Sequence, residues 1–265
     1  MAPGTRIAVD IGGSGARVAE ITPIGQVADI RRARIGSRSE LIAEMDRCGR
    51  ISWLGLSVPG VVRINDGDVM RSGVAPWLVG SLRQELAREL ECSVEVVNDG
   101  SAHALGMTAI PDLELGAICL ALGTSVGFGA LTESGELVQT LSGTSFEVGD
   151  MRLHTSASIK EAWWAVGQPG LEELEQAHGS AAGRERFAYR VGAFAKTLTI
   201  ALQPRSVCFS GGFVARYWHV LESPIRAELS GSLSWGHTPR VFASTSVEPA
   251  LDGLARLAPP IDCLS

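Results

Sequence analysis

The feature that most constrains this chain is a plan that occurs twice. Arg6-Ile7-Ala8-Val9-Asp10-Ile11 is a short apolar run closed by Gly12-Gly13-Ser14-Gly15, after which Val18-Ala19-Glu20-Ile21-Thr22 resumes strand character and Gly25-Gln26-Val27 continues past a turn. Later, Gly116-Ala117-Ile118-Cys119-Leu120-Ala121-Leu122 is a second apolar run, closed by Gly123-Thr124-Ser125-Val126-Gly127-Phe128-Gly129. A strand Ala130-Leu131-Thr132 and a turn at Ser134-Gly135-Glu136 follow. Apolar runs of this length, bounded by glycine clusters, read as glycine-turned hairpins of buried strands. The halves share a pattern and not residue identity. The pattern predicts a duplicated α/β architecture with a cleft between two facing halves.

The remaining pattern fills in each half. Helical spacing covers Ser39 to Arg50, with Leu41, Ile42 and Met45. Ile51 to Val58 reads as a strand ending at Pro59-Gly60. Leu78, Leu82, Leu86 and Leu90 stand one turn apart and predict an amphipathic helix over 78–90. Val94 to Val97 is a strand running into Asn98-Asp99-Gly100, with a helix starting over Ser101 to Gly106. In the second half, helices are predicted over Ile159 to Val166 and Arg184 to Leu202. A buried strand Ser206 to Ser210 runs into Gly211-Gly212, and a last helix covers about Pro249 to Leu257.

Composition excludes several classes. With 45% hydrophobic and 20% charged residues, the chain of 265 residues is an ordinary globular sequence and neither disordered nor a disulfide scaffold. A formal charge of −6 argues against bulk binding of nucleic acid or an anionic membrane. No apolar run reaches the ~18 residues of a membrane span. The first strand begins at about Arg6, so no signal peptide is expected. The five cysteines are widely spaced and form no CxxC, and Cys119 and Cys208 are expected in the core. These features together predict a reduced, cytoplasmic protein.

Some residues carry chemistry. Asp10 stands at a strand end beside a turn with little side-chain bulk, where backbone N–H groups can approach an anion and the carboxylate can hold hydrated Mg²⁺ through water. An ordinary hairpin turn is the plain alternative. Gly123-Thr124 repeats the arrangement, and the two turns together could clamp a polyphosphate. Asp99, at a strand end before a helix, can act as a general base on a hydroxyl, or it merely caps the helix. Glu147, Asp150 and Glu161 form an acidic group whose plain alternative is a solvated surface. Gly211-Gly212 could let a flat ring or a helix N-terminus approach, or could serve strand-to-helix packing alone.

In this order the pieces resemble the ROK family (repressor, open reading frame, kinase), the bacterial glucokinase-like branch of the actin-fold sugar kinases. The resemblance covers about Ile7 to Leu257. Asp10-Ile11-Gly12-Gly13-Ser14-Gly15 looks like the first phosphate motif, and Arg17 stands where the polyphosphate/ATP glucokinase subgroup has a lysine. Gly55-Leu56-Ser57-Val58-Pro59-Gly60, Val97-Asn98-Asp99, Leu122-Gly123-Thr124 and Phe209-Ser210-Gly211-Gly212 match further motifs of the family. The resemblance implies an actin-like (ribonuclease H-like) α/β fold with mixed sheets and an active site between two lobes. A small lobe would span 1–98 plus a C-terminal helix at about 248–258, and a large lobe 99–247. It implies an ATP-dependent, Mg²⁺-dependent sugar kinase acting on the primary 6-hydroxyl of a hexose. Asp99 would be the catalytic base, with Asn98, Asp99, Glu147 and Glu161 on the sugar. Gly12, Gly13, Ser14, Gly123 and Thr124 would take the phosphates, Gly211 and Gly212 the adenosine side, and Asp10 the magnesium through water.

Three departures from the family pattern matter. Glu147-Val148-Gly149-Asp150 has an aspartate where the family has a histidine that binds zinc and sugar. The cysteine-rich zinc loop is replaced by Thr155 to Ile159, so no zinc is expected. The usual Ala-Pro-Asn is Ala75-Pro76-Trp77. Asp150 in the pocket favours a substrate with an ammonium group, such as glucosamine or 3-amino-3-deoxyglucose. The alternatives are a plain glucokinase or a cyclitol kinase, with inorganic polyphosphate as another donor. A non-catalytic ROK-type sugar sensor is the rival from another class. It would need an N-terminal DNA-binding domain, for which the start at Arg6 leaves no room, and it would not need Asp99. The expected partners are a sugar and a nucleotide, without nucleic acid or membrane, and a homodimer is compatible with the sequence.

Overall fold

The computed structural model describes residues 4–13, 15–155, 158–230 and 237–260. The chain divides into two compact units. The first comprises Met1–Gly106, Val138–Phe146 and Glu248–Ser265; the second comprises Met107–Leu137 and Glu147–Val247.

The first unit is built on a five-stranded sheet ordered β3-β2-β1-β4-β7. Its strands are β1 (Thr5–Gly12), β2 (Gly15–Ile21), β3 (Val27–Ala33), β4 (Ile51–Val58) and β7 (Ser93–Asn98). The β1–β2 and β2–β3 pairs are antiparallel, and β1, β4 and β7 run parallel. The central strands β1 and β4 are buried almost throughout, as continuous apolar runs demand. Edge strand β3 instead exposes Arg31 and Arg32, which blunts its pairing potential. A small ribbon joins β5 (Val61–Val62) to β6 (Val69–Arg71). Helix α1 (Arg38–Asp46) is capped by Ser37, whose side chain accepts the Glu40 N–H. Helix α2 (Leu82–Leu90) begins later than the leucine spacing predicts. Leu78 closes a separate short turn, and Gly80 at φ +120° breaks the path between the two.

Helices α3 (Asp99–Gly106) and α8 (Pro249–Leu257) pack closely, because a Cβ on Gly106 or Gly253 would run into the other helix's backbone. This contact keeps α3 in the first unit, so the chain leaves that unit after Gly106 and not after Asn98.

The second unit carries a sheet ordered β13-β12-β8-β9. Strands β8 (Ala117–Leu122) and β9 (Val126–Leu131) form a hairpin, and β12 (Ser206–Ser210) and β13 (Arg240–Ala243) run parallel to β8. The order repeats that of the first sheet with β3 missing. A single bridge between Leu131 and Leu137 stands in its place. The glycine turn is shorter than expected, since β9 already begins at Val126 and only Gly123 to Ser125 lie outside the strands. Ile159–Glu161, expected as helix, is strand β11 paired with β10 (Arg152–His154), and α4 (Ala162–Ala165) starts only after it. Helices α5 (Gln168–His178), α6 (Ser180–Leu202) and α7 (Gly212–Ser230) complete the unit. Cys119 and Cys208 lie opposite each other, fully buried, on β8 and β12. Among the described residues no helix is long and apolar enough to cross a membrane.

Candidate active site

In the first unit the predicted residues gather at the C-terminal ends of the parallel strands β1, β4 and β7. Chain leaving a parallel sheet there presents free backbone groups, which is why such edges bind ligands. Asp10 is 8% exposed and faces Ser57 across the β1–β4 register. Its two oxygens are held separately. The Ser57 hydroxyl donates to Oδ1 at 2.7 Å, and the Arg17 guanidinium donates to Oδ2 at 3.1 Å. Arg17 also pairs with Glu248 at 3.0 Å, tying β2 to the residue before α8. Burial raises the Glu248 pKa, with Arg17 opposing and Asp10 adding. Half-buried His103 on α3 has its pKa lowered by burial, against the attraction of Asp10.

The β1–β2 turn exposes Gly12 and Gly13. Gly15 opposite Gly12 has φ +126°, a conformation that favours glycine. Ser14 lies outside the described residues.

Asn98 ends β7 and is buried. Its amide donates to the Gly60 carbonyl at 2.8 Å and to Asp99 Oδ1 at 2.9 Å. Its own oxygen accepts the Ser101 N–H at 3.2 Å. The first N–H groups of α3 are thus shared, Ser101 by Asn98 and Gly100 by Asp99. Asp99 is half-buried, and the Gly100 N–H also donates to its Oδ1, at 2.8 Å. Gly60 lets its carbonyl face Asn98 because it sits at φ +120° where a Cβ would strike the Arg71 carbonyl. Trp77 packs on the core of this unit, and its carbonyl accepts from Arg38 at 2.9 Å. Its ring thus has a packing role, which the sequence comparison did not anticipate.

In the second unit the Gly123–Thr124 turn and the Gly211–Gly212 corner lie at neighbouring strand ends. Gly211, at φ +91°, passes so close to β8 that a Cβ would lie 2.6 Å from the Leu122 carbonyl oxygen. Gly212 opens α7 and has open space where a Cβ would stand. The carbonyls of Gly123 and Thr124 accept the Gln168 N–H at the start of α5, at 3.1 and 3.3 Å. Gly167 permits that approach, since a Cβ there would lie 2.8 Å from the Thr124 oxygen.

Glu147 and Asp150 flank a short helical turn, with Glu147 half-buried and Asp150 exposed. Glu161 ends β11, and its Oε2 accepts the Trp163 indole N–H at 2.6 Å. Trp163 belongs to the same cluster as Glu147, because a Cβ on Gly149 would lie 3.2 Å from Glu147 Oε1 and 3.4 Å from Trp163 Cβ. Sequence reasoning missed Ser57 and Trp163. Ser57 had a signal, a hydroxyl at the glycine-proline end of an apolar strand, just before Pro59-Gly60; Trp163 had none beyond its closeness to Glu161.

Each oxygen of Asp10 already accepts one hydrogen bond and retains capacity for a water hydrogen. The adjoining Arg17 cation disfavours direct metal ligation, so the donor set fits a hydrated Mg²⁺ held through its waters. Among the described residues no group of three His, Cys, Asp or Glu side chains could hold a metal ion.

No family model matches the chain. Over 161 residues it is 31% identical to N-acetyl-D-glucosamine kinases of Shigella flexneri and Escherichia coli, covering 58% of this chain and 52% of theirs. The chain thus spans about half the length of the curated relatives it matches. The ROK family glucokinase of Streptomyces griseus, solved with glucose and AMPPNP, superposes with a TM-score of 0.78 at 18% identity, over 96% of this chain and 99% of that one. A ROK family transcriptional regulator superposes with a TM-score of 0.74 at 14% identity, over 98% and 78%. The fold is the actin-like fold of the ROK sugar kinases, and its structural neighbours are ROK family proteins.

Proposed function

We propose that the chain is a ROK-type sugar kinase that transfers the γ-phosphoryl group of ATP to the primary 6-hydroxyl of a hexose. The observation that carries this is the Asn98–Asp99 pair. Asn98 accepts the Ser101 N–H at the start of α3, while the Asn98 amide and the Gly100 N–H both donate to Asp99 Oδ1 and hold the carboxylate at the strand end. A sugar sensor of the same fold would need no general base at this position.

In the reaction Asp99 takes the proton of the sugar hydroxyl as its oxygen bonds to the γ-phosphorus, and ADP leaves with the bond between the β- and γ-phosphates broken. Phosphoryl transfer needs position and charge stabilisation more than covalent help. The Gly12–Gly13 and Gly123–Thr124 turns take the phosphates, Ser14 is assigned to them as well, and the bare backbone of Gly211 and Gly212 admits the adenosine. When bound, Mg²⁺ supplies positive charge to the phosphates, and Asp10 holds it through water. Asn98, Glu147, Asp150 and Glu161 contact the sugar.

An amino-hexose is the preferred acceptor in this reading, because an ionised Asp150 can only accept hydrogen bonds and an ammonium group donates up to three. The 31% identity to N-acetyl-D-glucosamine kinases supports a second reading, in which the nitrogen is acylated. A coupled ADP-release assay over glucose, glucosamine, 3-amino-3-deoxyglucose, N-acetylglucosamine and myo-inositol, with ATP or polyphosphate as donor, separates these. Turnover of no sugar with either donor overturns the kinase reading.

A further inference from the structure

Glu161 is exposed at the end of β11, where an unsupported carboxylate would sample many rotamers and lose that freedom on binding a ligand. It is not unsupported. The indole N–H of Trp163 donates to Oε2 at 2.6 Å. An indole nitrogen is a donor only, so this bond can have one polarity.

Trp163 is itself anchored. It follows Ala162, which is fully buried and whose N–H donates to the Met151 carbonyl at 2.7 Å. Its Cβ borders Gly149, in the turn that carries Glu147 and Asp150. Trp163 thus starts beside the Glu147–Asp150 turn at its Cβ and reaches the Glu161 carboxylate with its indole N–H. Arg152, Ile159, Lys160 and Trp164 line the same cavity of about 330 Å³. The Lys160 ammonium lies 4.6 Å from the centre of the Trp164 ring, while the Trp163 indole N–H donates to Glu161.

We infer that Trp163 is a positioning residue: it holds the Glu161 carboxylate in the orientation that meets the sugar, and so sets sugar affinity without touching the transferred phosphoryl group. The inference rests on the reading of Glu161 as a sugar contact.

The test is a double-mutant cycle with Trp163→Phe, which keeps the Cβ beside Gly149 and an aromatic ring but removes the N–H donor, and Glu161→Ala. Kinetics are measured with the best sugar of the panel. The expected result for Trp163→Phe is a KM for sugar raised about threefold to tenfold, as for one hydrogen bond to a partly solvated charge, with kcat and the KM for ATP within about twofold. Glu161→Ala raises the same KM, and the double variant is no worse than Glu161→Ala alone. Effects that multiply, or a wild-type KM in Trp163→Phe, overturn the role of Trp163 and leave the kinase reading standing. An unchanged KM in Glu161→Ala removes Glu161 from the sugar, and the inference falls with it. A wild-type chain that phosphorylates none of the sugars overturns both.

Discussion

At the scale of single residues, Asp99 and His103 make separable predictions. Asp99→Asn keeps the shape and both N–H contacts at the end of β7 while removing the base. It should lower kcat by about 10²–10⁴-fold, with the KM for sugar little changed. Activity within threefold of wild type in the ADP-release assay removes Asp99 as base. His103 predicts a pH dependence of stability. Burial lowers its pKa from an ordinary value of 6.5. Below about pH 6.5 the unfolded chain therefore binds a proton that the folded chain refuses, and stability falls as pH drops through that value. Glu248, raised by burial from 4.5, acts in the other direction and at lower pH, where the folded state retains the proton. Thermal midpoints at about pH 5.5 and 7.5 isolate the histidine, and His103→Asn should flatten the slope between them. An unchanged slope would show that His103 titrates alike in both states.

At the scale of elements, the glycines at the Gly211–Gly212 corner divide structure from function. Gly211→Ala puts a Cβ 2.6 Å from a β8 carbonyl at φ +91°, so it should destabilise by more than about 1 kcal/mol and lower the melting temperature. Gly212 has open space and begins a helix, so Gly212→Ala should leave the melting temperature unchanged or slightly raised. If the adenosine approaches there, Gly212→Ala should raise the KM for ATP; an unchanged KM takes Gly212 out of the nucleotide site. The same corner shows what the sequence could reveal. Strands buried on both faces, such as β4 and β12, are continuous apolar runs with glycine at their ends, and their limits were legible to the residue. β9 was read short because Gly127 and Gly129 lie within it; a hairpin strand paired with β8 tolerates them. Helix α7 was not anticipated, since Pro224 interrupts a pattern whose buried positions are Val214, Leu221, Ile225 and Leu229. Strand-end residues such as Asp10, Asn98 and Asp99 were legible because their place in the pattern is local. Their partners were not, because Ser57 meets Asp10 only through the register of two strands.

At the scale of the molecule, the duplication explains why both units have their glycine turns at the same edge. Each sheet sets a hairpin beside parallel strands, and a turn in that position presents N–H groups beyond the strand ends. The whole-chain charge then bears on the choice of sugar. The chain carries −6, with 21 arginines and only two lysines, and the residues assigned to the sugar are one amide and four carboxylates. Such a field attracts a cation and is indifferent to a neutral hexose. Asp150 is exposed, so its bond to an ammonium group is screened, and a surface pair is worth only about 0.2–1 kcal/mol. Local contact alone would give a preference of at most about fivefold in kcat/KM for an amino-hexose over glucose. A larger preference at low salt would be the work of the summed field. It should shrink toward that range between about 0.01 and 0.5 M salt, as the screening length falls from about 30 Å to a few ångströms. Asp150→His should lower the remaining preference by removing an acceptor, with glucose turnover unchanged or improved. If glucose equals or exceeds every amino-hexose at low salt, and Asp150→His leaves the ratio where it was, the ammonium group is not what this site selects.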